Sequence, residues 1–475
     1  MGDNLLSTGH SSRLFERVYD YIINRIERGE WKEHEKLPSV RLLAQEMNVH
    51  RLTVFKAYQL LKQNRKVYVK DKSGYYVYPD SIMSINDSKD LITSSYLQKN
   101  HLSEIHRVPV TYQFSQALID PNLLPNLYMS EYVKKVFDLY PKVLGTYSTV
   151  QGDEELREAL CEYFLKRHRF HISADELLIT SGAQQAIDLI SRIVIKPKDT
   201  VLLERPSYSA AIDAFQQQGA HIVPVDIYPD GYDLEQIELY MRQLKPRLFY
   251  LNPTFHNPTG YTVPSGQRKR LVELAEQYKC LLVEDDPFHD IYFDEEPPLP
   301  LFSYDTEGYV MYIRSFSKYV APGLRIAAVA TRSSLMKHLL NAKSLADNGT
   351  PLLNQKIFLH YFSSVRLQQH LEKLRIALHI RKEIMEEELA GTGWKWVSPK
   401  GGLNLWIKIP ETLPMKSLLE RSFDQSISFV PGTICDPLRE PNSWVRFSYS
   451  YINEQQLRDG VKRFVELSQG LESSF

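Results

Sequence analysis

The stretch YVMYIRSFSKYVAPGLRIAAVA, residues 309–330, decides how the rest of the chain is read. Tyr309 to Ile313 and Ile326 to Ala330 are short apolar runs of strand length. Between them stand Ser315-Phe316-Ser317-Lys318 and then Pro322-Gly323-Leu324-Arg325. One strand therefore ends on hydroxyls and an amine, and a guanidinium precedes the next. In open α/β sheets ligands sit beyond the carboxyl ends of the strands, so the residues at the other strand ends matter.

Outward from that stretch, Leu177 to Thr180, Val201 to Leu203, His221 to Val225, Leu248 to Leu251 and Leu281 to Glu284 read as further strands, with helical stretches between them. This alternation predicts an α/β domain with a mostly parallel central sheet. After the first strand, Ser181-Gly182-Ala183-Gln184 opens a helix whose Ala186, Ile187, Ile190, Ile193 and Val194 face inward. A small-residue turn at a helix N-terminus offers free N–H groups and the positive dipole end, which suits a phosphate; many strand-to-helix turns look alike. Pro206-Ser207-Tyr208 adds an aromatic able to stack on a flat ring. Asn257-Pro258-Thr259-Gly260 adds an amide on a rigid turn. Asp285-Asp286 adds a carboxylate, and position relative to the preceding strand favours Asp285. One crevice thus collects a phosphate cradle, an aromatic, an amide, a carboxylate, a lysine and an arginine. Pyridoxal phosphate asks for that set: an amine for its aldehyde, a carboxylate for its ring nitrogen, N–H donors and a cation for its phosphate.

These motifs resemble the class I and II aminotransferases of fold type I over essentially all of Tyr112 to Phe475. The resemblance implies that Lys318 holds the cofactor as a Schiff base and that Asp285 faces the pyridine nitrogen. It implies that Asn257 bonds the phenolic oxygen, Tyr208 stacks on the ring, and Gly182, Ala183, Gln184, Ser315 and Arg325 hold the phosphate. Tyr147, five residues before Gly152, matches a tyrosine that reaches the phosphate of a neighbouring subunit, which implies a homodimer. Arg446, in Trp444-Val445-Arg446-Phe447-Ser448, matches the arginine that clamps a substrate carboxylate bidentately; an interdomain salt bridge is the competing role. One position departs. Phe288 stands where many relatives carry a tyrosine that bonds the phenolic oxygen. Its loss removes about 1.5 to 3 kcal/mol of hydrogen bonding to a charged partner and does not suggest selection for rapid turnover. No metal site is expected.

Upstream, Phe15, Val18, Tyr19, Ile22, Ile23 and Ile26 follow helical spacing. Ser39 is a natural N-cap for a second helix that buries Leu43, Ala44 and Met47. A third helix follows Asn48-Val49, with Val54, Ala57, Tyr58 and Leu61 inward. Val67 to Val69 and Tyr75 to Tyr78 flank the turn residues Asp71-Lys72-Ser73-Gly74, a hairpin. Three helices and a basic hairpin make a winged helix-turn-helix (α+β). Between Lys36 and Lys72 nine Lys/Arg face two acids, a surplus of seven that fits a polyanion partner as well as a solvated face. Lys36-Leu37-Pro38-Ser39-Val40-Arg41, Val49-His50-Arg51-Leu52-Thr53-Val54 and the wing glycine Gly74 resemble the DNA-binding domain of GntR-type regulators. The resemblance places Arg41, Arg51, Thr53 and Gly74 against double-stranded operator DNA, with Lys70 and Lys72 of the wing on backbone phosphates. An intradomain salt bridge is the alternative for Arg41. His50 stands where the family has Ser or Thr as N-cap; imidazole is a poorer cap, which leaves His50 available to the operator.

The expected organisation is a DNA-binding domain over 11–80, a linker over 81–109 and a pyridoxal-phosphate domain over 110–475. The linker stretch leaves room for a short helix around Leu97 to Ile105. The two modules in this order resemble the MocR/GabR class of regulators. Cys161, Cys280 and Cys435 are scattered, which fits a reducing cytoplasm better than a disulfide scaffold; no apolar run is long enough to span a bilayer. Three functions compete: a transcription regulator sensing an amino acid or amine through pyridoxal phosphate, a working aminotransferase, and a vitamin B6 sensor. The first is preferred, because a metabolic enzyme has no use for a DNA-binding module.

Overall fold

The computed structural model describes residues 14–27, 30–32, 35–63, 66–70, 74–77, 101–332 and 334–472. The chain divides into two compact units, residues 1–97 and 98–475.

In the first unit, α1 (Leu14–Glu27), α2 (Val40–Glu46) and α3 (Arg51–Gln63) precede an antiparallel hairpin of β1 (Val67–Lys70) and β2 (Gly74–Val77). Ser39 starts α2 by accepting from the Leu42 N–H at 3.2 Å. At α3 the His50 Nδ1 accepts from the Leu52 N–H at 3.3 Å, so the imidazole does act as a cap and is not left to the operator alone. Val18 and Ile22 of α1, Leu43 of α2 and Val54, Ala57, Tyr58 and Leu61 of α3 close on Val67 and Val77 of the hairpin. The polar tip of Tyr58 in that core is satisfied: its hydroxyl donates to the Pro38 carbonyl at 2.6 Å. The unit is a winged helix-turn-helix.

The second unit begins, among the described residues, with α4 (His101–Arg107), which falls inside the stretch read as linker, 81–109. The last part of that stretch is therefore folded. Leu102 and Ile105, three apart on one helix face, are drawn into a cluster with Trp406, Val430 and Ile434, and apolar burial outweighs the polar composition around them. After β3 (Tyr112–Gln113) come β4 (Leu177–Thr180), β5 (Thr200–Arg205), β6 (His221–Tyr228), β7 (Gly231–Tyr232), β8 (Leu248–Leu251), β9 (Leu281–Asp286), β10 (Val310–Ser315) and β11 (Ala327–Thr331). These last eight form one sheet in the order β4-β11-β10-β9-β8-β5-β6-β7. β11 runs antiparallel to both neighbours and β7 folds back on β6; the other pairings are parallel. Successive residues alternate between two cores, Leu202, Phe249, Leu282 and Tyr312 on one face, Val201, Tyr250, Val283 and Ile313 on the other. A sheet buried on both faces explains the near-continuous apolar strands.

A second sheet, of β12 (Lys395–Trp396), β13 (Asn404–Lys408), β15 (Val430–Pro431) and β16 (Trp444–Ser448), is antiparallel in the order β12-β13-β16-β15. β14 (Ile427–Ser428) pairs in parallel with β3. Helices Val365–Leu389 and Glu454–Glu472 belong to the same region. No helix among the described residues is long and apolar enough to cross a membrane.

Candidate functional site

β4, β5, β8, β9 and β10 all point one way, so their carboxyl ends share one edge. β11 runs the other way, and so Arg325, two residues before it, arrives at that same edge. The cavity there is lined by Gly182, Ala183, Gln184, Tyr208, Asn257, Asp285, Ser315, Lys318 and Arg325, nine residues expected from the strand ends. Asn252, Pro287, Phe288 and Ser317 complete the lining. Two expected residues lie elsewhere: Arg446 contacts the cavity through Asn257, and Tyr147 is 89% exposed on a surface loop.

The period of a strand separates the two adjacent aspartates. Asp285 shares the face of Tyr250, whose hydroxyl donates to Asp285 Oδ2 at 2.7 Å, while Asp285 Oδ1 is buried with no partner. Asp286 turns to the opposite core and accepts from the Tyr312 hydroxyl at 2.7 Å, with His289 Nδ1 at 2.8 Å. Burial pushes the Asp285 carboxyl up to about 7; the Tyr250 bond opposes this and Asp286 adds to it. For Asp286 burial is outweighed by His289, Arg314 and Tyr312, which hold it below the usual carboxylate range. Burial, then the positive Arg446 and Arg325, push the Lys318 amine down to about 8.

Asn257 is fixed from two sides. Its N–H donates to Asn252 Oδ1 at 2.6 Å, and its Oδ1 accepts from Arg446 Nη1 at 3.1 Å. The loop that carries it is pinned by Arg268, fully buried, which donates to the carbonyls of Pro253 at 2.7 Å and Val263 at 2.8 Å. Arg446, 3% exposed on β16, also donates through Nη2 to the Ser115 carbonyl, and its Nε is buried without a partner. The Lys318 loop is held by Arg314, whose Nη1 reaches the Asp286 carbonyl at 2.9 Å and whose Nη2 reaches Asp290 and the Tyr319 hydroxyl, the latter at 2.8 Å. Sequence reasoning missed Asn252, Tyr250, Arg268 and Arg314. For Arg314 a signal existed: a cation inside an apolar strand must be paired, and paired groups fix loops.

In the first unit Arg51 opens α3 and is exposed, with Thr53 partly covered. Arg41 is exposed on α2 and makes no ion pair among the described residues. Gly74 opens β2 at φ +131°, a conformation that favours glycine, and a Cβ there would stand 3.3 Å from Lys36 Cε. Lys70 ends β1; Lys72 lies outside the described residues. Leu52 and Phe55, unremarked in the sequence, are also exposed on α3.

Comparison with known proteins fits both units. Residues 131–464 match the family "Aminotransferase class I and II", and residues 14–77 match "Bacterial regulatory proteins, gntR family". An uncharacterized HTH-type transcriptional regulator of Bacillus subtilis, YdfD, is 30% identical over 94% of both chains. Aromatic-amino-acid aminotransferase 1 of Thermococcus litoralis is 33% identical over 73% of this chain and 85% of its own. The solved structure of LysN, the α-aminoadipate aminotransferase of Thermus thermophilus complexed with N-(5'-phosphopyridoxyl)-L-leucine, superposes with a TM-score of 0.75 at 30% identity, covering 80% of this chain and 97% of LysN.

The chain belongs to the MocR-type family, a gntR domain fused to a class I and II aminotransferase domain.

Pyridoxal phosphate is the cofactor of such a domain, and this MocR-type cavity suits it on three counts. Asp285 Oδ1 lacks a donor that a protonated ring nitrogen would supply. Gly182, at φ +91°, starts helix Ala183–Val194 with no side-chain cap, leaving amides open to a phosphate. A Cβ on Gly182 would come within 2.5 Å of Arg325 Nη2, so the glycine keeps the guanidinium beside those amides.

Proposed function

We propose that this chain is a DNA-binding transcription regulator whose aminotransferase-type domain senses an amino compound. The observation that carries the reading is the presence in one chain of an exposed, arginine-led α3 and a cavity that joins Lys318, Asp285 and an Arg325-bearing phosphate cradle. Pyridoxal phosphate supplies an aldehyde that takes up amines and an electron-withdrawing ring. Lys318 would offer the amine, Asp285 the carboxylate for the ring nitrogen, Asn257 a donor for the phenolic oxygen and Tyr208 a stacking face. Gly182, Ala183, Gln184, Ser315 and Arg325 would hold the phosphate, joined in a homodimer by Tyr147 of a second copy, whose 89% exposure suits a residue meant for a neighbour. Arg446 would take a ligand carboxylate, for which its unpartnered Nε is a ready donor. A working aminotransferase is the second reading, favoured by the full set of cavity residues. Phe288, buried in the wall at the place of a hydroxyl donor, argues for slow turnover.

Operator binding tests the proposal. The surplus of seven positive charges between Lys36 and Lys72 predicts an affinity that falls steeply with salt, about 0.9 log units per log of salt for each phosphate neutralised. Arg51→Ala is expected to lose about 1 to 3 kcal/mol on operator and little on random DNA, whereas Lys72→Ala weakens both about equally. Gel shifts across a salt series read both; two variants that bind as wild type does remove the recognition-helix reading.

The lowered Lys318 pKa sets a pH window for cofactor capture. Only the neutral amine attacks an aldehyde, and with Lys318 at about 8 its neutral fraction grows as pH rises through that value and then saturates. Stopped-flow capture of pyridoxal phosphate by apo-protein should therefore accelerate from pH 6.5 to about 8.5 and level off, whereas an ordinary lysine, near 10.4, would still be climbing. A rate still rising tenfold per pH unit at pH 9.5 contradicts the depressed amine.

A further inference from the structure

The first unit carries two large apolar side chains on one turn of α3 that its own core does not use. Leu52 is 62% exposed and Phe55 is 45% exposed. The other exposed large apolar residues described in this unit, Leu14, Leu42 and Val69, stand singly on α1, α2 and β1. From α3 the core takes Val54, Ala57, Tyr58 and Leu61, and neither Leu52 nor Phe55. Residues three apart share a helix face, so the two stand side by side on the face turned from the core. Both fall within the first five residues of the helix, and its first turn is held by the His50 imidazole, which accepts from the Leu52 N–H at 3.3 Å.

The charges around the pair decide what covers it. Arg51 and Lys56 flank it and are exposed, Lys62 is exposed further along α3, and the helix from Arg51 to Gln63 holds no Asp or Glu. An apolar protein surface laid on this face would desolvate those cations without pairing them, which is costly. A polyanion pairs them. Duplex DNA presents phosphates along the rim of its major groove and one apolar group inside it, the 5-methyl of thymine. Neither Leu52 nor Phe55 has a side-chain donor or acceptor, so neither can read a base edge by hydrogen bonds.

We propose that Leu52 and Phe55 are specificity-determining residues that pack on thymine 5-methyl groups of the operator. The inference rests on the regulator reading, in which the N-terminal residues of α3 enter the major groove. Arg51 supplies the polar contact beside them, and the two apolar side chains select thymine over cytosine and over any base without a methyl at that place. Burying one methyl group against a side chain is worth about fourfold in affinity.

The test uses full-length holo-protein and a duplex that it enriches from a randomised pool. Each thymine of that duplex is replaced in turn by deoxyuridine, which pairs as thymine does and lacks only the methyl. Fluorescence anisotropy at fixed salt reads the affinity. Wild type should bind about fourfold more weakly at the thymines that face the pair. Leu52→Ala should lose the penalty at one set of these thymines and Phe55→Ala at another, whereas Leu52→Met, still long and apolar, should retain it. Both side chains are exposed, so truncation opens no cavity and the variants should melt as wild type does; the wild-type series is decisive without them. An enriched duplex bound equally with thymine or uracil at every position overturns the inference and leaves the regulator reading standing. A uracil penalty unchanged in both alanine variants overturns it as well. If no duplex is enriched over random DNA, the regulator reading itself falls and this inference with it.

Discussion

Lys318→Ala protein is expected to carry no covalent cofactor at all. After borohydride reduction of wild type, mass analysis should find one phosphopyridoxyl group per chain, on the peptide containing Lys318, and none anywhere in the variant. The expectation is all-or-none because Lys318 is the only lysine among the residues lining the cavity. Its surroundings also favour the reactive form: burial and two guanidinium groups bring the amine to about 8, against an ordinary value near 10.4. The fold should survive, because the loop is held by Arg314 to Asp290, Tyr319 and the Asp286 carbonyl and not by Lys318. Cooperative melting of the apo-variant close to that of apo wild type checks this. An adduct on another lysine would overturn the assignment.

The second large effect belongs to Arg446→Ala. A bidentate carboxylate–guanidinium contact in a buried site is worth about 2 to 5 kcal/mol when one partner is removed. The variant should therefore bind α-amino acids about 30-fold to several thousandfold more weakly and still bind pyridoxal phosphate, since Arg446 does not line the cavity. Simple amines without a carboxylate should be affected far less, because they have nothing to place on the guanidinium. Spectral titration with leucine and with its decarboxylated amine separates the two cases. Equal weakening for both would mean that Arg446 supports the fold of the site through Asn257 and Ser115 instead of recognising a carboxylate.

The parts of the site readable from sequence were those written in local chemistry. Short apolar strands locate their own carboxyl ends, so Lys318, Asp285 and Asn257 announced themselves by position, and position relative to the preceding strand favoured Asp285 over Asp286. Residues whose task depends on long-range pairing left no such mark. Tyr250 is an apolar strand residue until β9 sets Asp285 across from it, and Arg268 reads as an ordinary helix cation although it pins the Asn257 loop. The sheet around Arg446 was missed because two of its four strands, β12 and β15, are two residues long; no period can be read from so little. Within the stretch read as linker, 81–109, the short helix allowed around Leu97 to Ile105 is present as His101–Arg107, but its burial was not legible, because the partners of Leu102 and Ile105, Trp406 and Val430, lie about three hundred residues away in sequence. His50 shows the reverse, a poor cap by residue type whose imidazole nonetheless accepts from the Leu52 N–H.

The most direct test of a regulator that senses amino compounds is its operator affinity at fixed salt, measured on holo-protein with and without an amino acid that shifts its spectrum. The account predicts a change of at least about fivefold in wild type that is absent in Arg446→Ala protein still loaded with pyridoxal phosphate. An affinity that responds to pyridoxal phosphate alone, and to no amino acid in either protein, would contradict it and make the cofactor itself the signal.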